Sequence, residues 1–148
     1  MKLTHLDESG RAKMVDVSGK TEGRREARAE GRVFISAATA GLVASSGLPK
    51  GNPFEVARLA GIQAAKLTSR IIPLCHNLPL DWVNVDIELQ DACFLITADV
   101  VCRSATGVEM EALTAVSAAA LTVYDMCKAV DKQMLIGDIR LVFKRKES

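Results

Sequence analysis

Apolar and polar side chains alternate over residues 83–89 and again over residues 134–144. A two-residue period of this kind predicts β-strands with one buried and one exposed face. Residues 94–102 form a further predicted strand, and the short turn before them predicts an antiparallel hairpin with the strand at 83–89. Residues 24–36 are ambiguous, because their charged front could be helical. We favour a strand there, since Gly31 would interrupt a helix and β-branched residues follow it.

The first long helix has a clear start. Asn52 is a good N-cap, Pro53 fits the first helical position, and Glu55 stands where a capping box requires a carboxylate. We expect this helix to run to about Arg70. Its interior is made of small residues, and Gly61 costs about 1 kcal/mol relative to alanine. Another backbone should therefore need the space that Gly61 leaves.

A second alanine-rich helix is predicted over residues 108–130, and a short one over residues 39–46. The order of strand, helix, hairpin, helix and strand is the ferredoxin-like order, with one extra helix after the first strand. We therefore predict a single ferredoxin-like α+β domain over residues 24–148, with helices packed on one face of an antiparallel sheet. The other face must be solvated or covered by another subunit. Residues 1–23 are polar and predict a flexible N-terminal arm with one short extended piece at residues 14–17.

The composition of the chain excludes some classes of binding partner. The 148 residues carry a net charge of +1 and only 4% aromatic residues, which excludes a general nucleic-acid binder. No apolar stretch approaches the roughly 20 residues that span a bilayer, so we expect no membrane partner. The four cysteines lie far apart, and the first residues lead into charge rather than an apolar run. We therefore expect free thiols and a cytoplasmic location.

A loop bracketed by prolines at residues 73–79 places an imidazole beside a thiol, at Cys75 and His76. Such a stiff segment suits ligand binding or proton transfer. The alternative is a loop histidine that makes one backbone hydrogen bond. Zinc would need three or four ligands, and these two are adjacent, so we predict no metal site. Cys75 has no identifiable partner as a nucleophile, and the second histidine, His5, lies in the arm.

The second long helix carries acidic residues at both ends. Glu109 and Glu111 stand at its start, whereas Asp125 and Lys128 share a face near its end. Asp125 follows a nearly uncharged run, which favours partial burial and a pKa shifted toward catalytic use over a solvated ion pair. The fourteen residues between Glu111 and Asp125 span about 21 Å of helix. The two carboxylates therefore serve different ends of a large ligand, or a second subunit supplies one of them.

Several cations could bind phosphate. Lys50 lies in a Pro-Lys-Gly loop that lacks the Walker pattern, and an exposed loop lysine is the alternative. The first predicted strand carries four arginines, which could line an anionic site or keep the strand soluble: Arg24, Arg25, Arg28 and Arg32. In an extended chain, Arg24, Arg28 and Arg32 share one face, and Arg25 points the other way.

Six segments between about residues 3 and 144 match one family together. They are MVDVSGK (14–20), REARAEG (25–31), ARLAGIQAAK (57–66), IPLCHNLPL (72–80), TGVEMEALTAVSAAALTVYDMCKAV (106–130) and IGDIRL (136–141). They resemble cyclic pyranopterin monophosphate synthase, the molybdenum cofactor biosynthesis protein C family. The resemblance implies a ferredoxin-like fold and a homohexamer, a trimer of dimers, with the active site at a dimer interface. Asn77 departs from the family, since many members have proline there.

The resemblance also implies a reaction. The substrate would be 3′,8-cyclo-7,8-dihydro-GTP from an upstream radical SAM cyclase, and the products cyclic pyranopterin monophosphate and pyrophosphate. Opening a purine ring and closing it to a pterin needs several proton transfers and no redox step. A carboxylate beside an amine can supply such transfers. No cofactor is implied, although Mg²⁺ could accompany the triphosphate.

Roles follow from the resemblance position by position. Asp125 and Lys128 match the central catalytic pair, and Lys50, His76 and Glu109 match further catalytic residues. The matching substrate-binding positions are Leu74, Cys75, His76, Met110, Glu111, Arg25 and Lys144, the last two at the triphosphate end. A rival interpretation is a ferredoxin-like regulator that binds a nucleotide without chemistry. The carboxylate beside Lys128 argues against it, because a sensor of phosphate needs cations only.

Overall fold

A computed structural model describes residues 3–147 of the chain. Its elements in chain order are β1 (Gly23–Phe34), α1 (Ala37–Ala44), α2 (Pro53–Ile71), β2 (Trp82–Gln90), β3 (Cys93–Ser104), α3 (Glu109–Cys127) and β4 (Leu135–Glu147). Each predicted element is present within a few residues of its expected bounds. The ambiguous segment at residues 24–36 forms a strand, and α3 ends three residues earlier than predicted.

The four strands form one antiparallel sheet in the order β2-β3-β1-β4, with the helices packed on it. This order confirms the predicted ferredoxin-like α+β fold. The hairpin of β2 and β3 is antiparallel, as the turn between them predicts. Strand β4 forms an edge, and its register against β1 shifts between Arg28 and Ala29 and between Glu30 and Arg32. Residues 3–147 contain no helix that is long and apolar enough to cross a membrane.

Close backbone packing explains the small residues of the helices. A Cβ on Gly61 of α2 would lie 3.0 Å from the carbonyl oxygen of Ala115 in α3 and 3.1 Å from Val85 Cγ2 in β2. A Cβ on Gly31 of β1 would lie 2.7 Å from Val116 Cγ1 of α3. The space predicted at Gly61 is therefore used, and α3 is held closely between α2 and the sheet.

Capping differs between the two long helices. The Asn52 side chain accepts a hydrogen bond from the backbone N–H of Phe54, and Pro53 begins α2, as predicted. Helix α3 has no side-chain cap at Val108, and its first turn carries Glu109 and Glu111. Its first N–H groups thus lack a capping side chain, and they lie beside two carboxylates.

The face of the sheet away from the helices is charged. Arg28 forms two hydrogen bonds with Asp99, at 2.6 and 2.9 Å, and Arg140 lies 2.7 Å from Glu30. Arg24 and Arg32 also pair with carboxylates, so the even-numbered arginines share one face as predicted. These arginines form ion pairs along the open face.

The N-terminal arm packs on the domain in part. Its one β-bridge within the described residues joins Leu6 and Ala12, and residues 14–17 belong to no strand. Val15 and Val17 are nevertheless half-buried, whereas Met14 and Asp16 between and beside them are exposed. The flexibility of the arm stays a prediction.

Candidate active site

Two neighbouring cavities lie at the N-terminal end of α3. The first, of about 480 Å³, is lined by the proline-bracketed loop, the first turn of α3 and the N-terminal arm; it includes Leu74, Cys75, His76, Leu78, Met110, Glu111, Thr4, His5, Val15 and Val17. The second, of about 610 Å³, includes Arg25, Glu26, Ala105, Lys144, Arg145 and Lys146. Both cavities share Lys20, Thr106, Gly107 and Glu109, so they form one continuous depression.

Local sequence places the two walls of the first cavity. Helix α2 ends at Ile71, and Ile72 takes an extended conformation because a proline follows it. The stiff loop then carries His76 toward the start of α3. Asn77, the departure from the family pattern, accepts a hydrogen bond from Ser69 Oγ of α2 at 3.4 Å. The loop is therefore tied to α2 at this position.

Glu111 is the most unusual titratable group of the site. Its side chain is buried, with only 4% of the residue exposed. Burial, together with the nearby Glu109 carboxylate, raises the pKa of Glu111 to about 7. A carboxyl group with a pKa near neutrality can both donate and accept a proton during turnover. The resemblance implies a substrate contact at this position, and the burial of Glu111 also suits proton transfer.

Glu109, two residues earlier, has the opposite character. Burial disfavours its charge, but three favourable contributions together outweigh this and lower the pKa of Glu109: a 2.8 Å hydrogen bond from Lys144 Nζ, a hydrogen bond from its own backbone, and the charges of Lys144 and Arg25. The same contact raises the pKa of Lys144. Two carboxyl groups with separated pKa values in one helical turn are typical of sites in which one group stays ionised and the other carries the proton.

The loop residues contribute an imidazole and a thiol. His76 Nε2 lies 2.8 Å from the carbonyl oxygen of Val15 in the arm. Burial and the Glu111 carboxylate raise the pKa of the Cys75 thiol, so this cysteine is protonated at neutral pH. All four cysteines are free, as predicted, and burial raises the pKa of Cys102 to about 11. A thiol without thiolate character is a poor nucleophile.

The second cavity is rich in cations. Arg25 Nε and one terminal nitrogen donate to the carbonyl oxygens of Ser104 and Ala105, at 3.1 and 3.0 Å. These bonds fix the guanidinium against the segment that leads into α3. Lys20, Lys144, Arg145 and Lys146 also line the cavity, together with the carboxylates of Glu26 and Glu109. Several lysines and arginines around one depression suit a polyphosphate.

A separate cluster, the Asp125 cluster, consists of Lys50, Asp125 and Lys128. Asp125 Oδ1 lies 2.6 Å from Lys128 Nζ, and its Oδ2 lies 2.7 Å from Lys50 Nζ. The hydrogen bonds from Lys128 and Lys50 lower the pKa of Asp125 to about 2. The expectation that burial shifts the pKa of Asp125 toward catalytic use is wrong, because the residue is exposed and two ammonium groups stabilise its charge. In this chain Asp125 is a persistent anion between two cations.

The structure does not bring the Asp125 cluster to the cavities. None of its three residues lines either cavity. Asp125 lies near the C-terminal end of α3 and Glu111 near its start, about 21 Å apart along the helix axis. Within residues 3–147, no group of three or more histidine, cysteine, aspartate or glutamate side chains is placed to hold a metal ion.

Comparison with known proteins decides between the interpretations. The model of the MoaC family matches residues 14–147. The chain belongs to the MoaC family. Cyclic pyranopterin monophosphate synthase of Parvibaculum lavamentivorans is 56% identical over 97% of this chain and 91% of its own length, and that of Chloroflexus aggregans is 57% identical over 97% and 88%. The molybdenum cofactor biosynthesis bifunctional protein of Chlorobaculum tepidum is 56% identical over 97% of this chain, which spans 46% of that protein.

Membership of the MoaC family confirms the resemblance seen in the sequence. The residues that the resemblance assigns to the site fall into three places. Five line the first cavity only, at Leu74, Cys75, His76, Met110 and Glu111. Arg25 and Lys144 line the second cavity, and Glu109 lines both. Lys50, Asp125 and Lys128 form the distant cluster, so the individual roles stay predictions.

Sequence reasoning missed several residues of this MoaC-family site. His5 and Lys20 belong to the arm but line the cavities. Lys20 ends the first matching segment, which was the available signal, whereas nothing marked His5. Asp131 lines neither cavity, but it is buried close to the Asp125 cluster in sequence and accepts hydrogen bonds from Ser36 N–H at 2.8 Å and the Thr39 hydroxyl at 3.0 Å. It holds the turn after Lys128 against α1.

Proposed function

We propose that this chain converts 3′,8-cyclo-7,8-dihydro-GTP to cyclic pyranopterin monophosphate with release of pyrophosphate, by acid–base chemistry. That the chain is an enzyme of molybdenum cofactor biosynthesis which forms cyclic pyranopterin monophosphate follows from the family and the relatives. The observation that carries the finer proposal is the junction of a cavity with proton-carrying groups and a cation-lined cavity. The proposed substrate likewise has a ring system that exchanges protons at one end and an anionic triphosphate at the other.

The first cavity suits the ring chemistry. Opening and reclosing the purine ring moves several protons and no electrons, so it needs groups that change protonation near neutral pH. Glu111, with a pKa of about 7, is such a group, and the imidazole of His76 lines the same cavity. Glu109 stays ionised beside Lys144 and positions that lysine. We assign Leu74, Cys75 and Met110 to contacts with the ring, as the resemblance implies.

The second cavity suits the triphosphate. Closing the cyclic phosphate expels pyrophosphate, whose developing charge needs hydrogen-bond donors. Arg25 and Lys144 line this cavity and can supply such donors. Lys20 lines both cavities. We propose no resident metal, and Mg²⁺ would enter with the triphosphate. The substrate would come from an upstream radical SAM cyclase.

The Asp125 cluster completes the site in a second copy of the chain. A carboxylate between two ammonium groups can take part in proton transfer. Asp125, however, lies about 21 Å along α3 from Glu111. We therefore propose a homohexamer, a trimer of dimers, in which Lys50, Asp125 and Lys128 of one copy face the cavities of its partner. We also propose a cytoplasmic location, because four unpaired cysteines suit a reducing compartment.

Turnover tests the reaction directly. The purified protein is incubated with the cyclised GTP intermediate, and released pyrophosphate and the fluorescent oxidised pterin are measured. We expect both products in equal amounts. Binding without either product would reject the synthase reaction and favour a nucleotide-binding regulator.

Subunit mixing tests the shared site. Lys50 and Asp125 touch within one chain, so variants of these two residues cannot complement each other across an interface. The informative pair is Glu111→Gln with Asp125→Asn, each inactive alone. If one site needs both copies, exchange of differently tagged subunits should restore part of the activity. Proven exchange with no recovery would contradict the shared site, and mixing Lys50→Met with Asp125→Asn is the matched control.

A further inference from the structure

One wall of the first cavity is formed by the N-terminal arm, and a hydrogen bond joins this wall to the loop. The carbonyl oxygen of Val15 lies 2.8 Å from Nε2 of His76. A carbonyl oxygen only accepts hydrogen bonds, so Nε2 must carry a hydrogen and donate it. The contact therefore selects one of the two neutral tautomers of the imidazole.

The second ring nitrogen, Nδ1, is left to exchange protons. Within the described residues 3–147, the Val15 carbonyl is the one hydrogen-bond partner of the His76 side chain. No buried side-chain nitrogen or oxygen in that part of the chain lacks a partner, so the unbonded Nδ1 is accessible to solvent. Because Nε2 keeps its hydrogen in both the neutral and the charged ring, only Nδ1 gains or loses a proton.

The segment of the arm that supplies this carbonyl is partly buried. Val15 and Val17 are half-buried and line the cavity, while Met14 and Asp16 are exposed. Asp7 accepts hydrogen bonds from the N–H groups of Ser9 and Arg11, both at 2.9 Å, and closes a turn earlier in the arm. The arm therefore has its own local structure and an anchored segment at residues 15–17.

We propose that the N-terminal arm is a positioning element of the active site, in which the Val15 carbonyl holds His76 as the Nε2–H tautomer so that His76 gives and takes its proton at Nδ1. The tautomer needs only the observed hydrogen bond. Its consequence for turnover rests on the proposed function. The two statements are therefore tested by separate measurements.

Nitrogen-15 NMR of the full chain tests the tautomer. The chain has two histidines, so ¹⁵N-histidine labelling gives two sets of signals, which His5→Gln and His76→Gln assign. At about pH 8.5, where an ordinary imidazole is neutral, we expect His76 to show a protonated Nε2 and an unprotonated Nδ1. We also expect the Nε2 hydrogen to exchange slowly with water. A protonated Nδ1 in the neutral ring would overturn the proposal.

Loosening the arm tests whether it is the cause. Val15→Gly removes a half-buried anchor and keeps the backbone carbonyl, whereas Met14→Gly adds the same backbone freedom at an exposed position. We expect the Nε2 hydrogen of His76 to lose its protection in Val15→Gly and to keep it in Met14→Gly. Equal protection in the wild type and in Val15→Gly would show that the arm does not hold the ring, and would overturn the proposal.

Two substitutions of His76 separate anchoring from proton transfer. The carboxamide of His76→Gln can still donate to the Val15 carbonyl but cannot act as a base, whereas His76→Ala does neither. We expect His76→Gln to keep the amide protection of residues 15–17 and to lower kcat about 100-fold or more. His76→Ala should also lose that protection. An active His76→Gln would refute proton transfer at Nδ1, while an inactive wild type with the expected NMR signals would refute only the synthase reaction.

Discussion

Replacing Glu111 by glutamine should stabilise the protein while it abolishes catalysis. The Glu111 carboxyl group is buried, and its pKa rises from 4.5 to about 7 on folding. Each unit of pKa corresponds to about 1.4 kcal/mol, so the charged form destabilises the folded state by about 3 kcal/mol. Because the folded state binds the proton more tightly than the unfolded state, stability falls as pH rises from about 4.5 to 7, and the loss is complete above that range.

Urea unfolding at pH 4.5 and pH 8, at one fixed protein concentration, measures the effect. At pH 4.5 the wild type and Glu111→Gln should have similar free energies of unfolding, since the carboxyl group is largely protonated in the folded wild type. At pH 8 the variant should be more stable by up to about 3 kcal/mol. A difference between the two proteins that is the same at both pH values would refute the burial of an ionised carboxylate.

Glu109→Gln is the matched control, two residues away in the same turn. The Glu109 carboxylate is stabilised by Lys144, and its pKa is lowered rather than raised. Removing its charge should therefore reduce stability at pH 8 instead of increasing it. Both variants should lose activity. Opposite changes in stability with the same catalytic loss would distinguish the buried, proton-carrying Glu111 from the ionised Glu109 that pairs with Lys144.

Three further predictions concern packing and charge. A Cβ at Gly107 would overlap the Glu109 carboxylate, so Gly107→Ala should displace it from Lys144 and lower kcat/KM by up to about 100-fold in steady-state assays; an unchanged kcat/KM would contradict a role for this contact. Gly61→Ala should lower the free energy of unfolding by about 1 kcal/mol, because the cost of overpacking against the Ala115 carbonyl exceeds the gain in helix propensity. A variant more stable than the wild type would contradict this close contact. Raising the salt concentration should increase KM for the triphosphate substrate more than it lowers kcat, because screening weakens the cation-lined cavity; a salt-independent KM would exclude that cavity as the phosphate site.

The fold was predictable because its signals are local. Alternation over residues 83–89, the cap at Asn52 and the small side chain of Gly61 each depend on near neighbours or on one packing requirement. The tertiary contacts that build the site leave no comparable local signal in the sequence. The contact between Val15 and His76 joins positions 61 residues apart, and an irregular arm carries one of them.

The electrostatic character of the helix residues was harder to predict. The uncharged run before Asp125 indicated burial, but the residue lies on the exposed face of α3 and is charged beside Lys50 from a distant loop. Glu111, in contrast, is buried at the start of the same helix. A helix pattern gives the spacing of these groups, while the face that turns inward depends on how the whole helix packs.

Helix α3 also acts as a molecular spacer of fixed length. It carries Glu111 near one end and Asp125 near the other, and its contacts with Gly61 and Gly31 leave no room to slide. One inserted residue would turn the far end by about 100° and advance it by about 1.5 Å, which would aim the Asp125 cluster in a new direction. Insertions and deletions should therefore be excluded from α3.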